Sequence, residues 1–308
     1  MFIREYRDYK SFGKCLYLSN GSIELYVTVD FGPRIIRFGA VGGENFMFED
    51  EARKTFQQTA SMARAYGKDA TWYIYGGHRM WLSPEYMPET YYPDNDSVKV
   101  TEIANGAILT PPVQKHNKVQ NSVEIKLSPK SDRVTVTHRS ENKSDKTRCD
   151  AIWALSVGAA GGAVVVRQPT HDTGFLANRC VPLWPYSKMN DDRVYWGEKF
   201  ITLCQKTDCK GPFKFALDSV KKAALVKGGN ALIKSIPHVS GAQYPDYGVN
   251  FESYTCADFI EIESLSPLVN SAPGTVITHT EQWELVRNVG DIDFKNDADI
   301  EAKIGEYI

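Results

Sequence analysis

Apolar and polar residues alternate along most of this chain with a period of two, the pattern of half-buried β-strands. Ile23, Leu25, Val27 and Val29 interleave with Glu24, Tyr26, Thr28 and Asp30, directly after an Asn20-Gly21 turn signal. Phe31-Gly32-Pro33-Arg34 turns the chain, and Ile35-Ile36-Arg37-Phe38 opens the next strand. Further strand-like runs cover 97–103, 107–109, 119–127, 133–139, 151–157 and 163–168, then 199–204, 212–216, 222–227, 230–236, 251–255 and 276–286. The glycine-rich stretch Gly158 to Gly162 predicts a hairpin joining two apolar strands. Helical patterning is confined to a weak stripe of Phe56, Ala60, Met62 and Ala63 within 49–68, and to 297–308, where Asn296 or Asp297 would cap. Many short strands with little helix predict an all-β chain. Without a composition break or an internal repeat, one sandwich domain over 1–308 is the simplest organisation.

Two stretches depart from plain alternation in ways that matter chemically. Phe259-Ile260-Glu261-Ile262-Glu263-Ser264-Leu265 reads as a strand with Ile260 and Ile262 on one face. Glu261 and Glu263 then share the other face, roughly 7 Å apart along the strand. Glutamate is depleted in strands, and a face with two carboxylates is solvated, paired or functional. The second stretch is Gly76-Gly77-His78-Arg79-Met80-Trp81. The glycines permit unusual dihedrals and close approach of another group. His78 is either a satisfied turn histidine or a proton donor, with Arg79 a donor fork and Trp81 a stacking platform beside it. In a regular strand His78 and Arg79 face opposite ways, so both reach one pocket only if the turn is bulged. Of the other histidines, His138 alternates with Val134 and Val136 as a buried strand residue does, and His279 shares a cleft or surface face with Glu281 and Trp283. His116, His171 and His238 fall in loops.

Composition narrows the classes. The hydrophobic fraction of 42% supports a sizeable core, and a net charge of −2 with mixed signs argues against a nucleic-acid or anionic-membrane partner. No apolar run approaches the roughly 18 residues of a membrane span, and the N-terminus shows no apolar signal region. A cytoplasmic chain is therefore expected. The 6 cysteines lack paired C-x-x-C spacing, so free thiols are expected, with no metal and no cofactor. No H-E-x-x-H, phosphate-loop, G-x-G-x-x-G or G-x-S-x-G motif is present.

Taken together, Gly76-Gly77-His78-Arg79-Met80-Trp81 with Pro84-Glu85, Ala151-Ile152-Trp153-Ala154-Leu155, Glu261-Ile262-Glu263-Ser264-Leu265-Ser266-Pro267, Pro273-Gly274 and His279-Thr280-Glu281-Gln282-Trp283 resemble the galactose mutarotase-like superfamily over roughly 22–286. The resemblance implies a β-supersandwich with a carbohydrate site on the concave face of one sheet. It also implies an isomerase activity, aldose 1-epimerase-like interconversion of sugar anomers, with a small-molecule carbohydrate as partner. Ile260-Glu261-Ile262-Glu263 matches the family's late-strand glutamate motif, so Glu261 would be the base and Glu263 a binding group. The family's histidine context corresponds to Asp150-Ala151-Ile152-Trp153-Ala154-Leu155 here, which has no histidine. His78 then stands as the acid, with Arg34, Arg79 and Trp81 binding substrate, or the chain binds sugar without turning it over. A polysaccharide hydrolase or lyase is a third reading, with no second acid at a spacing that can be placed.

Overall fold

A computed structural model describes residues 2–308. Two ten-stranded sheets, in which every pairing is antiparallel, face each other across a common apolar core. The first sheet runs, edge to edge, through Ile3–Asp8, Lys14–Ser19, Ile23–Thr28, Ile35–Ala40, Gly77–Ser83, Arg148–Ala159, Phe259–Leu265, Phe251–Thr255 and Phe213–Leu217, with Val269–Ser271 added beside Arg148–Ala159. The second centres on Asn230–Ser235, Val276–Val286 and Arg133–Asn142. Its flanks are Lys222–Lys227, Ala163–Arg167 and Phe200–Cys204 on one side and Val119–Leu127 on the other.

The alternation assigns each strand's two faces. Leu25, Val27, Phe38, Ile260 and Ile262 meet Val134, Val136, Leu225 and Trp283 between the sheets. A second apolar cluster forms where the C-terminal helix, Asp297–Ile304, seats Ile300 and Ile304 against Val165, Ala224 and Val226. Asn296 caps that helix, its side chain accepting from the backbone N–H of Ala298 and Asp299. In the 49–68 segment only Ala60–Tyr66 is helical, capped by Thr59.

One expectation is overturned. Gly158–Gly162 does not make a hairpin: Arg148–Ala159 pairs with Gly77–Ser83 and Phe259–Leu265 in the first sheet, whereas Ala163–Arg167 pairs with Phe200–Cys204 and Lys222–Lys227 in the second. The glycines carry the chain from one layer to the other. The stretches next to the glycines, 151–157 and 163–166, are buried and almost wholly apolar because each strand is flanked on both sides in its own sheet.

The Gly76-Gly77 pair is a backbone crossing. Tyr75, Gly76 and Gly77 all have positive φ, at 53°, 98° and 67°. A Cβ on Gly76 would lie 2.0 Å from the Phe48 carbonyl oxygen, and one on Gly77 would lie 2.4 Å from that of Ile35. The group that approaches these glycines is therefore main chain. Beyond the crossing, Gly77–Ser83 is regular strand, and Arg79 and Trp81 are fixed to the outer face. Gly76→Ala is expected to destabilise the protein by about 2 kcal/mol or more, read as a lowered urea midpoint; an unchanged midpoint would show that the crossing relaxes freely.

Candidate functional site

The site is built on the outer face of the first sheet, across five neighbouring strands. In register from one side lie Arg79 and Trp81, then Trp153 and Leu155, then Glu261 and Glu263, then Glu252 and Tyr254, then Lys214. Ile260, Ile262, Phe251, Phe213 and Phe215 are the alternating partners that anchor these strands in the core. Loops complete the walls: Trp72 and Tyr91 close on Trp81 at ring distances of 5.1 and 5.0 Å, and Trp184 and Tyr186 border the far end. The result is a cleft open to solvent, with about 820 Å³ of empty space, whose walls are mostly aromatic.

Glu261 lies on its floor and is 7% exposed. One carboxylate oxygen accepts from Arg79 Nη1 at 3.2 Å. Arg79 in turn lies 4.2 Å from the Trp81 ring centre and 5.5 Å from that of Trp72, which holds its guanidinium in place. Burial pushes the Glu261 carboxyl up and the Glu263 charge adds to this, while Arg79 and Lys214 pull it down; the balance is about 7. A carboxyl poised there both takes and gives protons near neutral pH.

Glu263, two residues on, is fully buried and already partnered. It accepts from the Trp153 indole N–H at 2.8 Å and from the Lys214 ammonium at 3.2 Å. Lys214 also pairs with Glu252 at 2.6 Å, and its Nζ lies 4.6 Å from the ring centres of both Trp153 and Trp184. The carboxylates hold this ammonium's proton more tightly than an ordinary lysine's, despite the burial that opposes them. Burial pushes Glu252 well above the usual carboxylate range, against the pull of Lys214.

Glu261, Glu263, Arg79 and Trp81 are thus brought together, and His78 and Arg34 are not. His78 precedes Arg79 on the same strand and faces the core, 2% exposed. The glycine crossing ends before His78, so the bulge that would have turned it to the cleft is absent. Arg34 forms a two-pronged pair with Asp94, Nη1 to Oδ2 at 2.5 Å and Nη2 to Oδ1 at 3.0 Å, beside a separate pocket. The residues missed from the sequence are Lys214, Glu252, Trp72, Trp153, Trp184, Tyr91, Tyr186 and Tyr254. Lys214 had a usable signal: it is a single lysine inside Phe213-Lys214-Phe215-Ala216-Leu217, the basic counterpart of the glutamates at Glu261 and Glu263.

On the core side of the same strands is a second polar cluster, which explains His78. His138 Nδ1–H donates to the His279 carbonyl at 3.1 Å, so its Nε2 is an acceptor. His78 Nε2–H donates to that nitrogen at 2.7 Å, and His78 Nδ1 accepts from the Ser156 hydroxyl at 2.9 Å. The Lys234 ammonium donates to Ser156 at 3.2 Å and pairs with Glu281 at 2.7 Å. Glu281 also accepts from Ser264 at 2.6 Å and Trp283 at 2.9 Å. Burial depresses all three imidazoles, His138 to about 4 and His279 to about 3, so they pack as neutral rings. His279 and Glu281 accordingly face neither cleft nor surface. Ligand atoms of His78, His138 and Glu281 lie within 4.8 Å of one another, but hydrogen bonds engage them and the Lys234 ammonium would repel a cation.

Comparison with solved structures gives probability 1.00 for each of the following. A TPR-domain containing protein from Parabacteroides distasonis superposes with a TM-score of 0.58 at 13% identity, over 89% of this chain. This chain spans 47% of that one, about half its length. A galactose mutarotase-like protein from Lactobacillus casei superposes with a TM-score of 0.56 at 10% identity, covering 88% of this chain and 99% of that one. This chain has the galactose mutarotase-like fold. A candidate aldose 1-epimerase from Klebsiella pneumoniae agrees, at TM-score 0.56 and 13% identity over 95% of this chain and 83% of that one. No protein-family model and no curated protein sequence matches. Within the galactose mutarotase-like fold of this chain, the aromatic cleft occupies the outer face of the sheet that carries the Glu261 strand.

Lys234→Met would leave Glu281 as a buried charge without its cation. It is expected to destabilise the fold by about 3–5 kcal/mol, measured by chemical denaturation. A loss below 1 kcal/mol would mean that the cluster contributes little to holding the sheets together.

Proposed function

We propose that the cleft above Glu261 binds a carbohydrate and that Glu261 exchanges a proton with its anomeric hydroxyl, the chemistry of an aldose 1-epimerase. The observation that carries this reading is the Glu261 carboxyl, held by Arg79 at 3.2 Å on the floor of an aromatic cleft, where burial raises it toward neutral pH. Indole and phenol rings offer flat apolar faces to the C–H faces of a sugar, and a few polar groups fix its orientation. Trp81 and Trp153 serve as platforms. Arg79 steadies the Glu261 carboxylate and offers its remaining N–H groups to hydroxyls. Glu263 acts by holding Trp153 and Lys214. Solved neighbours described as galactose mutarotase-like and as a candidate aldose 1-epimerase support the substrate class.

A second reading, sugar binding without turnover, is favoured by one specific observation: among the described residues no histidine lines the cleft, because His78 faces the core. The two readings part experimentally. Anomer exchange, followed by NMR across a panel of aldoses, is expected to exceed buffer and to fall on the order of 100- to 10,000-fold in Glu261→Gln, with sugar affinity retained. The carboxylate is the active form, so the rate should rise with pH through about 7 and fall as Glu261 is protonated below it. Saturable binding with exchange at the buffer rate for every sugar would overturn the enzymatic reading in favour of binding alone.

A further inference from the structure

Anomer exchange takes a proton from the anomeric hydroxyl and places one on the ring oxygen. Negative charge builds on that ring oxygen as its bond to the anomeric carbon breaks. Arg79 is engaged with Glu261, and Glu85 at the rim accepts from the Tyr91 hydroxyl at 2.5 Å. The remaining charged group bordering the cleft is Lys214.

Its placement follows from the strand pattern. Phe213 and Phe215 face the core, so Lys214 faces outward. Lys214 pairs with Tyr254, and Tyr254 pairs with Glu261, so lysine and glutamate stand two strands apart on one face. Two strand spacings put their backbones about 10 Å apart, a gap that a single sugar ring bridges. The ammonium is held from below by Glu252 at 2.6 Å and Glu263 at 3.2 Å, and between the faces of Trp153 and Trp184. Its formed hydrogen bond goes to Glu263 at 3.2 Å, Glu252 acts on it as a close counter-charge at 2.6 Å, and N–H capacity remains for a ligand in the cleft it borders. So surrounded, the lysine stays protonated: it is a fixed cation, neither a base nor an amine able to form a Schiff base.

Resting on the carbohydrate reading above, we propose that Lys214 is a catalytic residue whose ammonium stabilises the charge on the ring oxygen, while Glu261 alone carries the proton between the two oxygens. The Glu261 carboxylate takes the proton of the anomeric hydroxyl. The electron pair left on that oxygen forms the carbonyl. The bond from the anomeric carbon to the ring oxygen breaks, and its pair moves onto the ring oxygen beside the ammonium. The Glu261 carboxyl then returns its proton to that oxygen. After rotation of the open chain, the same transfers in reverse close the ring on the other face of the carbonyl. Protons and electrons balance, and no second acid is consumed. A preorganised cation at the site of developing charge is the usual device for such a step.

The test compares two variants, because Lys214→Met alone would leave two buried carboxylates facing each other. Glu252→Gln is the reference, and Lys214→Met combined with Glu252→Gln removes the ammonium while leaving a single carboxylate, Glu263, which keeps its bond from the Trp153 indole N–H. Both are assayed for anomer exchange by NMR and for sugar affinity by calorimetry. Loss of exchange on the order of 100- to 1000-fold relative to the reference, with affinity changed less than tenfold, is expected. Equal exchange in the two variants would overturn the role of Lys214 and leave the carbohydrate reading intact. So would a loss of affinity parallel to the loss of rate, which would make Lys214 a binding group only. A wild-type protein that binds sugars yet exchanges none of them would overturn the enzymatic reading and this role together, before any variant is made.

Discussion

The structure depends on one constraint: at the centre of the first sheet, successive side chains must serve two different environments. Residues 259–265 show it most clearly. Ile260, Ile262 and Ser264 point between the sheets, whereas Glu261 and Glu263 take the opposite face, Glu261 on the cleft floor and Glu263 buried against Trp153 and Lys214. A slip of one residue would bury the carboxylates against Trp283 and expose the isoleucines, so register is specified from both sides. The same rule separates His78 from Arg79 and Lys214 from its flanking phenylalanines. Cleft and core are therefore two readouts of one set of strands.

Both faces contain buried lysine–glutamate pairs, and these have different surroundings. On the core side, Lys234 and Glu281 are embedded in a closed network in which three neutral imidazoles, two serines and an indole meet the polar demands. Lys234 also donates to the Ile262 carbonyl at 3.3 Å, so the cluster grips the backbone between Glu261 and Glu263 from beneath. On the cleft side, Lys214 answers to two carboxylates and leaves polar capacity over: one oxygen of Glu263, both of Glu252 and Arg79 Nε lack hydrogen-bond partners. A satisfied network rigidifies, and an incompletely satisfied one beside a cleft marks the place where a ligand or water would add the missing bonds.

Much of this was legible in the sequence. Period-two alternation identified most strands, and Val119–Leu127 and Val276–Val286 matched their expected bounds. The glutamate pair stood out because charge inside an otherwise apolar strand is unusual. Two kinds of information were not legible. Alternation gives faces but not which sheet a strand joins, so two apolar strands linked by glycines looked like a hairpin when they lie in different layers. Nor does it say which face holds the core when both faces are buried. His78 and His279 looked available for chemistry because a polar residue in a strand suggests exposure, yet here the polar residues satisfy one another inside. The aromatic wall came from segments distant in sequence, Trp72, Trp153 and Trp184, that only the folded topology assembles.

The central claim is that a sugar occupies the outer face of the Glu261 strand, and the chain's 6 tryptophans report on it directly. Trp72, Trp81, Trp153 and Trp184 border the cleft, Trp283 is buried between the sheets, and Trp196 packs elsewhere against Phe213 and Phe215. Indole N–H signals of ¹⁵N-labelled protein, followed by NMR during titration with a panel of aldoses, should shift saturably for the four cleft residues and stay still for Trp196 and Trp283. Saturable shifts confined to Trp196 or Trp283, or no shift with any sugar, would contradict the account.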